Sequence, residues 1–290
     1  MSRHPPTPAL SDAPLAPGLY LVATPIGNLR DITLRALDVL NAADLVLAED
    51  TRVTGKLLAA YGLSKTMARY DEHAAERVTP RVLAALAEGG RVALVSDAGT
   101  PLVSDPGYRL AREAMAAGHP VFPIPGASAL LAALAVAGLP SDRFLFAGFP
   151  PPKSAARKAF FTELAGTRAT LVFFEGASRV AASLRDMAEV FGPRDGVVAR
   201  ELTKLYETVV RAPLPDLAAD PRFVSPKGEI VILVAPGRVE AATAEDADVA
   251  LLDALARLKP TEAAGEVAKA LGLPRRDLYR RAMELKAQVK

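Results

Sequence analysis

Short β-rich runs alternate with Ala- and Leu-rich stretches of helical spacing through the first half of this 290-residue chain. The predicted strands are 18–27, 45–50, 67–73, 91–97 and 121–126. The predicted helices are 31–44, 53–62, 75–88, 106–118 and 127–138. Strands that alternate with helices form a largely parallel sheet covered by helices on both faces. The pattern therefore predicts the α/β fold class, with Asp31 capping the first helix and Pro106 in the first turn of the fourth.

A second alternating unit follows the sequence GLPSDRF at 138–144. Some of its β-rich runs have no helix between them, so this second sheet is predicted to be mixed. Three further helices, near 245–258, 261–271 and 275–288, follow an acidic linker. The turn LGLPRRD between the last two resembles a helix-turn-helix connection.

The chain is therefore predicted to have four parts. These are a disordered lead-in at 1–17, an N-terminal α/β domain at 18–140, a second α/β domain at 141–238 and a small C-terminal helical, helix-turn-helix-like unit at 243–290. The lead-in is rich in Pro and Ala and lacks the apolar core of a signal peptide. Because no apolar run reaches membrane-spanning length without a charge or a proline, we expect a soluble, cytoplasmic protein that binds no membrane.

Composition and charge narrow the classes of function. The chain has no cysteine and three histidines, so disulfides and thiolate metal sites are excluded and no metal is expected. Residues 257–290 hold nine basic and four acidic residues, a net charge of +5, whereas the remainder holds 26 basic and 29 acidic residues, a net charge of −3. This asymmetry fits a nucleic-acid-binding appendage, and it equally fits a solvated helix face.

The sequence LVSDAGTPLVSDPG at 94–107 places two Asp-x-Gly turns in succession after an apolar strand. Asp and Gly favour turns, and two together indicate a loop of defined shape. Four other unusual loops also follow predicted strands, namely TPIGNLRD, AEDTR, DEH and PGAS. Ligands of open α/β sheets bind beyond the carboxyl ends of the strands, so these loops predict a cleft. The absence of GxGxxG and GxxxxGK[ST] motifs argues against NAD and ATP.

The set TPIGNLRDIT, AEDTR, LVSDAGTPLVSDPG, PGAS, AGLPSDRF, FFE, ARELTKLYE and KGEIVIL resembles the tetrapyrrole methylase superfamily of S-adenosylmethionine enzymes. Within it, the set is most similar to the branch that methylates the 2'-hydroxyl of a cytidine in small-subunit ribosomal RNA. The resemblance implies two α/β domains with S-adenosyl-L-methionine in the cleft between them. It also implies a homodimer whose partner is 16S rRNA or the small ribosomal subunit, with the target cytidine in the decoding centre.

The resemblance also implies which positions bind the cofactor. Those of the first domain are Asp97, Ala98, Gly99, Thr100 and Val103, mainly through backbone groups, together with Ser128 and Ala129. Those of the second domain are Phe174, Glu175, Leu202, Lys227 and Gly228.

The methyl group of a sulfonium is already activated, so transfer to a ribose hydroxyl needs positioning, exclusion of water and a base. The candidate catalytic residues are Asp50, His73 and Glu201. Histidine is the residue type whose ordinary pKa lies closest to neutrality, but His73 could instead be structural or contact RNA. Asp50 could instead cap a helix or pair with Arg52. The segment YDEHA at 70–74 departs from the branch's usual YH[DE]HN, because Asp71 replaces a histidine and Ala74 an asparagine.

Basic residues form the candidate RNA contacts: Arg30, Arg52, Lys153, Arg157, Arg275, Arg276, Arg280 and Arg281. Their alternative role is that of solvated charges at helix ends and faces. Two other functions compete with RNA methylation. One is a small-molecule methylase acting on a corrin-type ring, and the other is a non-catalytic RNA-binding protein that uses helices 245–288.

Overall fold

The computed structural model describes residues 10–11, 13–237, 244–271 and 273–288. Over these residues the chain divides into two compact units, one from Met1–Phe161 and Ala169–Ala235, the other from Thr162–Arg168 and Pro236–Lys290. Most of the predicted lead-in lies outside the described residues, as do residues 239–242, which separate the second predicted domain from the predicted helical unit. The boundaries of the four predicted parts remain predictions.

The first sheet has five parallel strands in the order β3-β2-β4-β1-β5. They are β1 (Gly18–Val22), β2 (Leu45–Ala48), β3 (Met67–Arg69), β4 (Arg91–Val95) and β5 (Val121–Ile124). The helices between and after them are α1 (Leu34–Ala42), α2 (Thr51–Ala60), α3 (Glu72–Ala87), α4 (Tyr108–Ala116) and α5 (Ala129–Ala137). Side chains of β1 alternate between two apolar clusters, with Leu19 among residues of α3 and α4 and Tyr20 among residues of α1 and α2. Helices on both faces of a parallel sheet confirm the predicted class.

Three sequence-based details of this half are wrong. Thr33 caps α1 by accepting a hydrogen bond from the Ala36 backbone N–H, whereas Asp31 ends a short 3₁₀ helix before it. Pro106 lies outside α4, whose N-cap is Gly107 at φ +125°. The predicted strand 67–73 ends at Arg69, because Asp71 caps α3 through the Ala74 backbone N–H. In each case a local hydrogen bond or backbone angle fixes the boundary more sharply than periodicity does.

The second sheet is mixed, as predicted, with the order β6-β7-β10-β8-β9. Its strands are β6 (Phe144–Phe146), β7 (Thr170–Gly176), β8 (Asp195–Arg200), β9 (Thr208–Pro213) and β10 (Glu229–Val234). Strand β6 runs parallel to β7, and the other pairs are antiparallel. Its helices are α6 (Ser154–Leu164), α7 (Val180–Phe191) and α8 (Leu214–Ala219).

Helix α5 joins the two sheets into one compact unit. Its buried residues Ala133, Leu134 and Ala137 share an apolar cluster with residues of β7, β8 and β10. The Arg211 side chain of β9 also donates a hydrogen bond of 3.0 Å to the Ala137 carbonyl at the end of α5. Burial of this apolar face holds the strand-end loops of the first sheet against the second sheet.

The other unit contains α9 (Ala244–Leu255), α10 (Pro260–Leu271) and α11 (Arg275–Gln288). Leu251, Ala263, Val267 and Leu278 belong to its own buried core. Pro274 precedes α11, where its fixed φ and missing N–H suit a helix start. Among the described residues, no helix combines the length and apolar character needed to cross a membrane.

Candidate active site

A cavity of about 310 Å³ lies between the strand-end loops of the first sheet and one face of the second. The first sheet and its loops supply Ile26, Glu49, Asp97, Ala98, 103–105 and Ala129. The second sheet and its loops supply Phe149, Phe174, Glu175, Ala199, Leu202 and 229–231. This volume falls in the lower range of small-molecule sites. The cavity occupies the cleft that the strand-end loops predicted.

The loop after β4, Ser96–Gly107, is held in shape by a two-residue bridge to the end of β1. The Thr24 backbone N–H donates to the Gly99 carbonyl at 2.8 Å, and the Gly99 N–H donates to the Thr24 carbonyl at 3.1 Å. The buried Ser96 hydroxyl also donates to the Gly99 carbonyl, at 2.9 Å. The Gly99 N–H and carbonyl are therefore engaged within the protein, and a contact between Gly99 and the cofactor stays a prediction. Gly99, at φ +91°, shapes the loop.

Two non-glycine residues of the same loop adopt left-handed backbone angles, Leu102 at φ 73° and Ser104 at φ 65°. Such conformations are costly for L-residues and are found where the surrounding structure enforces them, often at functional sites. A Cβ on Gly107 would lie 2.5 Å from the Leu94 Cδ2 atom. The second Asp-x-Gly turn therefore needs its glycine, and the strained segment directs residues 103–105 to the cavity.

Three carboxylates of the first sheet line the cavity, those of Glu49, Asp97 and Asp105. Burial, followed by repulsion from Glu49, raises the pKa of Asp105 to about 6, and the Ser96 hydroxyl offsets part of the rise. Burial and then the charge of Asp97 raise the pKa of Glu49. None of the three carboxylates forms an ion pair with another described residue. This side of the cavity is therefore acidic and unneutralised.

The carboxylates of the second sheet and its loops are paired with cationic side chains. The buried Glu175 side chain pairs with the Arg179 guanidinium at 2.7 Å and accepts a hydrogen bond from the Ser183 hydroxyl. Lys204 Nζ bridges Glu201 at 2.8 Å and Glu229 at 2.9 Å. Its hydrogen bond to Glu201 lowers the pKa of that carboxyl.

The loop after β8 is also strained, with Glu201 at φ 53° and Thr203 at φ 67°. A Cβ on Gly228 would meet the Glu201 carboxylate, and its φ of +97° is one that L-residues rarely adopt, so glycine is favoured there. The Lys204 stem covers Gly27, where an added Cβ would overlap it. Lys204 therefore connects the loop after β1 to the second sheet.

The twelve predicted cofactor positions divide into two groups. Seven line the cavity: Asp97, Ala98, Val103, Ala129, Phe174, Glu175 and Leu202. The other five do not line the cavity and instead hold or shape the loops and helix around it. The Thr100 hydroxyl donates to the Ala127 carbonyl at 3.2 Å, and Ser128 caps α5. The backbone carbonyl of the exposed Lys227 accepts a hydrogen bond from the Arg200 guanidinium at 3.2 Å, and Gly99 and Gly228 leave room for neighbouring groups.

Several cavity residues were not predicted from the sequence. Glu49 and Asp105 stand inside the motifs AEDTR and SDPG, so their position beside predicted residues was an available signal. Ala199, Ile230 and Val231 lie within strands, where the side that faces a ligand depends on the packing of α5. Phe149 follows β6 and carried no distinguishing sequence signal.

The candidate bases Asp50, His73 and Glu201 do not line this cavity. Asp50 caps α2, and its hydrogen bonds with Arg52 hold the pKa of its carboxyl well below the usual range. His73 is exposed in the first turn of α3, and Glu201 is paired with Lys204. The geometry brings Glu49 and Asp105 to the cavity instead.

The predicted RNA-contacting cations also differ in availability. Arg157 is only 3% exposed and pairs with Asp186 at 2.6 Å, so its proposed contact with RNA is corrected to a structural role. Arg281 pairs with Asp248 and Glu284 within the helical unit. The remaining six are exposed: Arg30, Arg52, Lys153, Arg275, Arg276 and Arg280.

Comparison with known proteins places this geometry in a family. The sequence model of the tetrapyrrole (corrin/porphyrin) methylases matches residues 18–218, and that of the RsmI C-terminal HTH domain matches 241–286. The ribosomal RNA small subunit methyltransferase I of Mesorhizobium japonicum is 51% identical over 94% of this chain and 94% of its own length. The protein of that name from Erythrobacter litoralis is 53% identical over 95% of this chain and 98% of its own.

Comparison with solved structures finds methyltransferases that have the same fold as this chain. The uroporphyrin-III-C-methyltransferase from Thermus thermophilus is 26% identical, with a TM-score of 0.54 over 75% of this chain and 93% of that one. The methyltransferase CobJ shares the fold at 22% identity, with a TM-score of 0.58 over 76% of this chain and 94% of its own. The chain belongs to the tetrapyrrole methylase family and, within it, to the ribosomal RNA small subunit methyltransferase I proteins.

Proposed function

We propose that this protein transfers a methyl group from S-adenosyl-L-methionine to the 2'-hydroxyl of a cytidine in the decoding centre of 16S rRNA. The observation that carries the proposal is the cavity between the two sheets, which contains seven of the twelve positions that the family resemblance assigns to the cofactor. The names and identities of the relatives support RNA, and not a corrin-type ring, as the substrate. The resemblance further supports a homodimer that acts in the cytoplasm.

The cavity residues fit the chemistry of this cofactor. Ile26, Leu202 and Val231 provide buried apolar surface for its adenine and methyl groups. The unpaired carboxylates of Glu49, Asp97 and Asp105 match its sulfonium and ammonium charges. When bound, the cofactor supplies an activated methyl group on sulfur. The contribution of the chain is to orient the acceptor hydroxyl, to exclude water and to receive a proton.

Phe149 fits the binding of a nucleotide at the same cavity. Its side chain is 53% exposed although it lines the cavity, and its ring meets Phe174 edge-on, with centroids 5.7 Å apart. An exposed ring fixed at its edge offers a face on which a base can stack. The exposed cations Arg30, Arg52 and Lys153 provide phosphate contacts for the same strand.

The proposal is tested by methyl transfer from isotopically labelled cofactor to three acceptors: naked 16S rRNA, small ribosomal subunits and a corrin-type ring. We expect label in 2'-O-methylcytidine after digestion of the RNA. Label in the ring would favour the small-molecule methylase. Cofactor binding without transfer, or no binding in calorimetry, would contradict an RNA methyltransferase.

The assignment of the cavity is tested with Gly99→Val. A branched side chain there meets Ile26, whose Cγ2 atom would lie 3.3 Å from the new Cβ, and it strains the left-handed backbone. We expect cofactor affinity to fall at least tenfold. Gly62→Val is the matched control, because Gly62 also has a positive φ but no atom within 4 Å of an added Cβ. Equal affinities of the two variants would remove this cavity from cofactor binding.

The helical unit is proposed to add RNA affinity. Arg276 has no hydrogen bond or ion pair with another described residue, and Arg280 has only a 3.4 Å contact with Asp277. Replacing both by Ala should weaken RNA binding. The slope of the logarithm of the binding constant against the logarithm of the salt concentration should become shallower by roughly 1.5–2, which is the effect of two phosphate contacts. Arg281→Ala is the control, since its pairing with Asp248 predicts lower thermal stability with little change in that slope. An unchanged slope in the double variant would contradict this role.

A further inference from the structure

The last helix of the helical unit, α11, has a buried side and an exposed side. The buried side belongs to the core of the unit and consists of Leu278, Ala282 and Leu285. Residues at positions i, i+3, i+4 and i+7 share one face of an α-helix. The exposed side has this spacing and consists of Arg276, Tyr279, Arg280 and Met283. This exposed face of α11 therefore combines two guanidinium groups with an aromatic ring and a thioether.

Contacts of α11 with its neighbours show where this face points. The Arg281 guanidinium pairs with Asp248 of α9 at 2.6 Å, so that side of α11 faces α9. Tyr279 stands two residues earlier, which is a rotation of about 200° around the helix axis, so it faces away from α9. Arg275 donates a hydrogen bond of 3.3 Å to the Thr261 carbonyl of α10. The exposed face of α11 thus lies on the side that α9 and α10 leave open.

The Tyr279 side chain has no structural partner among the described residues. It is 42% exposed, its hydroxyl forms no hydrogen bond and its ring forms no aromatic or cation–π contact in this part of the chain. Met283, one turn further on, is 48% exposed. An exposed ring costs the unit apolar surface that burial would stabilise, so packing within the unit does not explain it. A ring next to cations is typical of surfaces that bind nucleic-acid bases and phosphates.

The shape of RNA decides which kind of RNA this face fits. Helices α10 and α11 lie in the segment that matches a helix-turn-helix domain. In DNA complexes of such domains, the second helix enters the major groove. A-form RNA has a deep, narrow major groove that side chains cannot read, so α11 cannot bind duplex RNA in that way. Unpaired bases, in contrast, stack on exposed aromatic side chains.

We propose that the exposed face of α11 binds a single-stranded segment of RNA, with one base stacked on the Tyr279 ring; this rests on the proposed RNA methylation. Arg276 and Arg280, which flank the ring in sequence, contact the phosphates of the same strand. The net charge of +5 over residues 257–290 attracts this polyanion and favours RNA over a second protein as the occupant. Every base has a face that can stack, so this contact adds affinity for unpaired RNA without selecting the target nucleotide.

The first test uses the absence of tryptophan from the chain. Tyr279→Trp in the full-length protein places the only indole of the molecule on the exposed face of α11. We expect a single-stranded, unstructured RNA to quench its fluorescence, because a stacked base quenches indole emission. A blunt-ended RNA duplex with the same number of phosphates should quench it far less. Val249→Trp is the matched control, because Val249 is 69% exposed on α9 of the same unit, and it should respond to neither RNA.

The second test measures affinity for the same single-stranded RNA. Tyr279→Ala should weaken binding by about 5- to 150-fold, the effect of one lost base–aromatic stack. Tyr279→Phe keeps the ring and should bind within about threefold of the parent. The dependence of the binding constant on salt should not change in Tyr279→Ala, because the ring carries no charge. Melting temperature, cofactor affinity and kcat at saturating RNA should also match the parent.

The outcomes separate this inference from the proposed function. Methyl transfer is measured on its own, so a parent that transfers no methyl group to RNA contradicts the proposed function. Absence of quenching, or an unchanged affinity of Tyr279→Ala in a parent that methylates RNA, contradicts the inference alone. Equal quenching by duplex and single strand would also overturn it, because stacking requires an unpaired base. If the indole emission changes with protein concentration in the absence of RNA, the face binds a second copy of the chain and the inference is wrong.

Discussion

The loop after β4 and the loop after β8 meet at one cavity, and both hold two non-glycine residues at left-handed angles. They differ in whether their carboxylates have cationic partners. In the first loop, Asp105 and Asp97 have no cationic partner among the described residues, and the pKa of Asp105 rises. In the second, Lys204 pairs with both Glu201 and Glu229, and the pKa of Glu201 falls.

The difference shows which loop keeps unpaired carboxylates in the cavity and which loop is made rigid by ion pairs. An ion-paired carboxylate is a weak base, because its charge is already stabilised. A partly buried carboxylate without a cation retains its affinity for a proton, at a cost to the stability of the fold. The loop after β8 therefore acts as a fixed wall, and the loop after β4 keeps reactive groups available.

The largest effect is expected from breaking the first loop with Gly107→Ala. The new Cβ would lie 2.5 Å from Leu94 Cδ2 and 2.8 Å from Leu102 Cδ2, at φ +125°. Backbone strain and overpacking should together lower the free energy of unfolding by about 2–4 kcal/mol in urea titrations. Gly118→Ala, at φ +81° with open space around it, should cost about 1–2 kcal/mol from backbone strain alone. Equal losses would show that packing against Leu94 does not fix the loop.

A smaller effect is expected from breaking the pairing in the second loop with Lys204→Met. The Lys204 and Glu201 side chains are 26% and 18% exposed, so the loss of unfolding free energy at pH 7 should be about 1–2 kcal/mol, between the values for surface and buried pairs. Lys56→Met, on an exposed position of α2, is the control and should change it by less than about 0.5 kcal/mol.

The pH dependence of this variant has a defined sign. Because Lys204 lowers the pKa of Glu201, the pairing stabilises the fold above the unfolded pKa of Glu201. That stabilisation is lost as the pH falls through the lowered, folded value. The parent and Lys204→Met should therefore converge in stability under acidic conditions. A constant difference down to pH 3 would show that packing of the Lys204 stem on Gly27, and not its charge, stabilises the loop.

The smallest effect is expected from Arg52→Ala, which tests whether this arginine acts on the unpaired carboxylates of the cavity. The Arg52 side chain is 86% exposed and pairs with Asp50, so its removal should leave the melting temperature unchanged. In NMR titration, the pKa of Asp50 should rise toward its usual value, and that of Asp105 should not move. A shift at Asp105 would mean that Arg52 neutralises the acidic side of the cavity.

The sequence predicted well those features that depend on local order along the chain. Alternating elements defined two sheets, and strand ends defined the position of the cleft, because parallel strands present their carboxyl ends at one edge. Prediction failed where a residue distant in sequence decides whether a side chain is buried or exposed. Arg157 has helical spacing with Lys153, but only packing against Asp186, 29 residues away, shows that it is buried.

The same limit explains which residues of the site could be predicted from the sequence. Asp97 and Val103 were predicted through the family resemblance of the loop that contains them, whereas Ile230 and Val231 became cavity residues through the docking of α5 on the second sheet. Asp50 and Glu201 have the residue type of a base, and their partners Arg52 and Lys204 stand only two and three positions further on. A motif shows that a carboxylate is present, but its ion pairs decide whether it is available.

The strand order of the second sheet has a consequence for synthesis of the chain. Strand β10 lies between β7 and β8, yet it is the last of the described strands to leave the ribosome. Until Glu229–Val234 emerges, β7 and β8 have no common neighbour, and the cavity lacks one of its walls. The nascent chain can assemble its first sheet early, but the cavity can form only after β10 has been synthesised, because β10 pairs with strands that are distant in sequence.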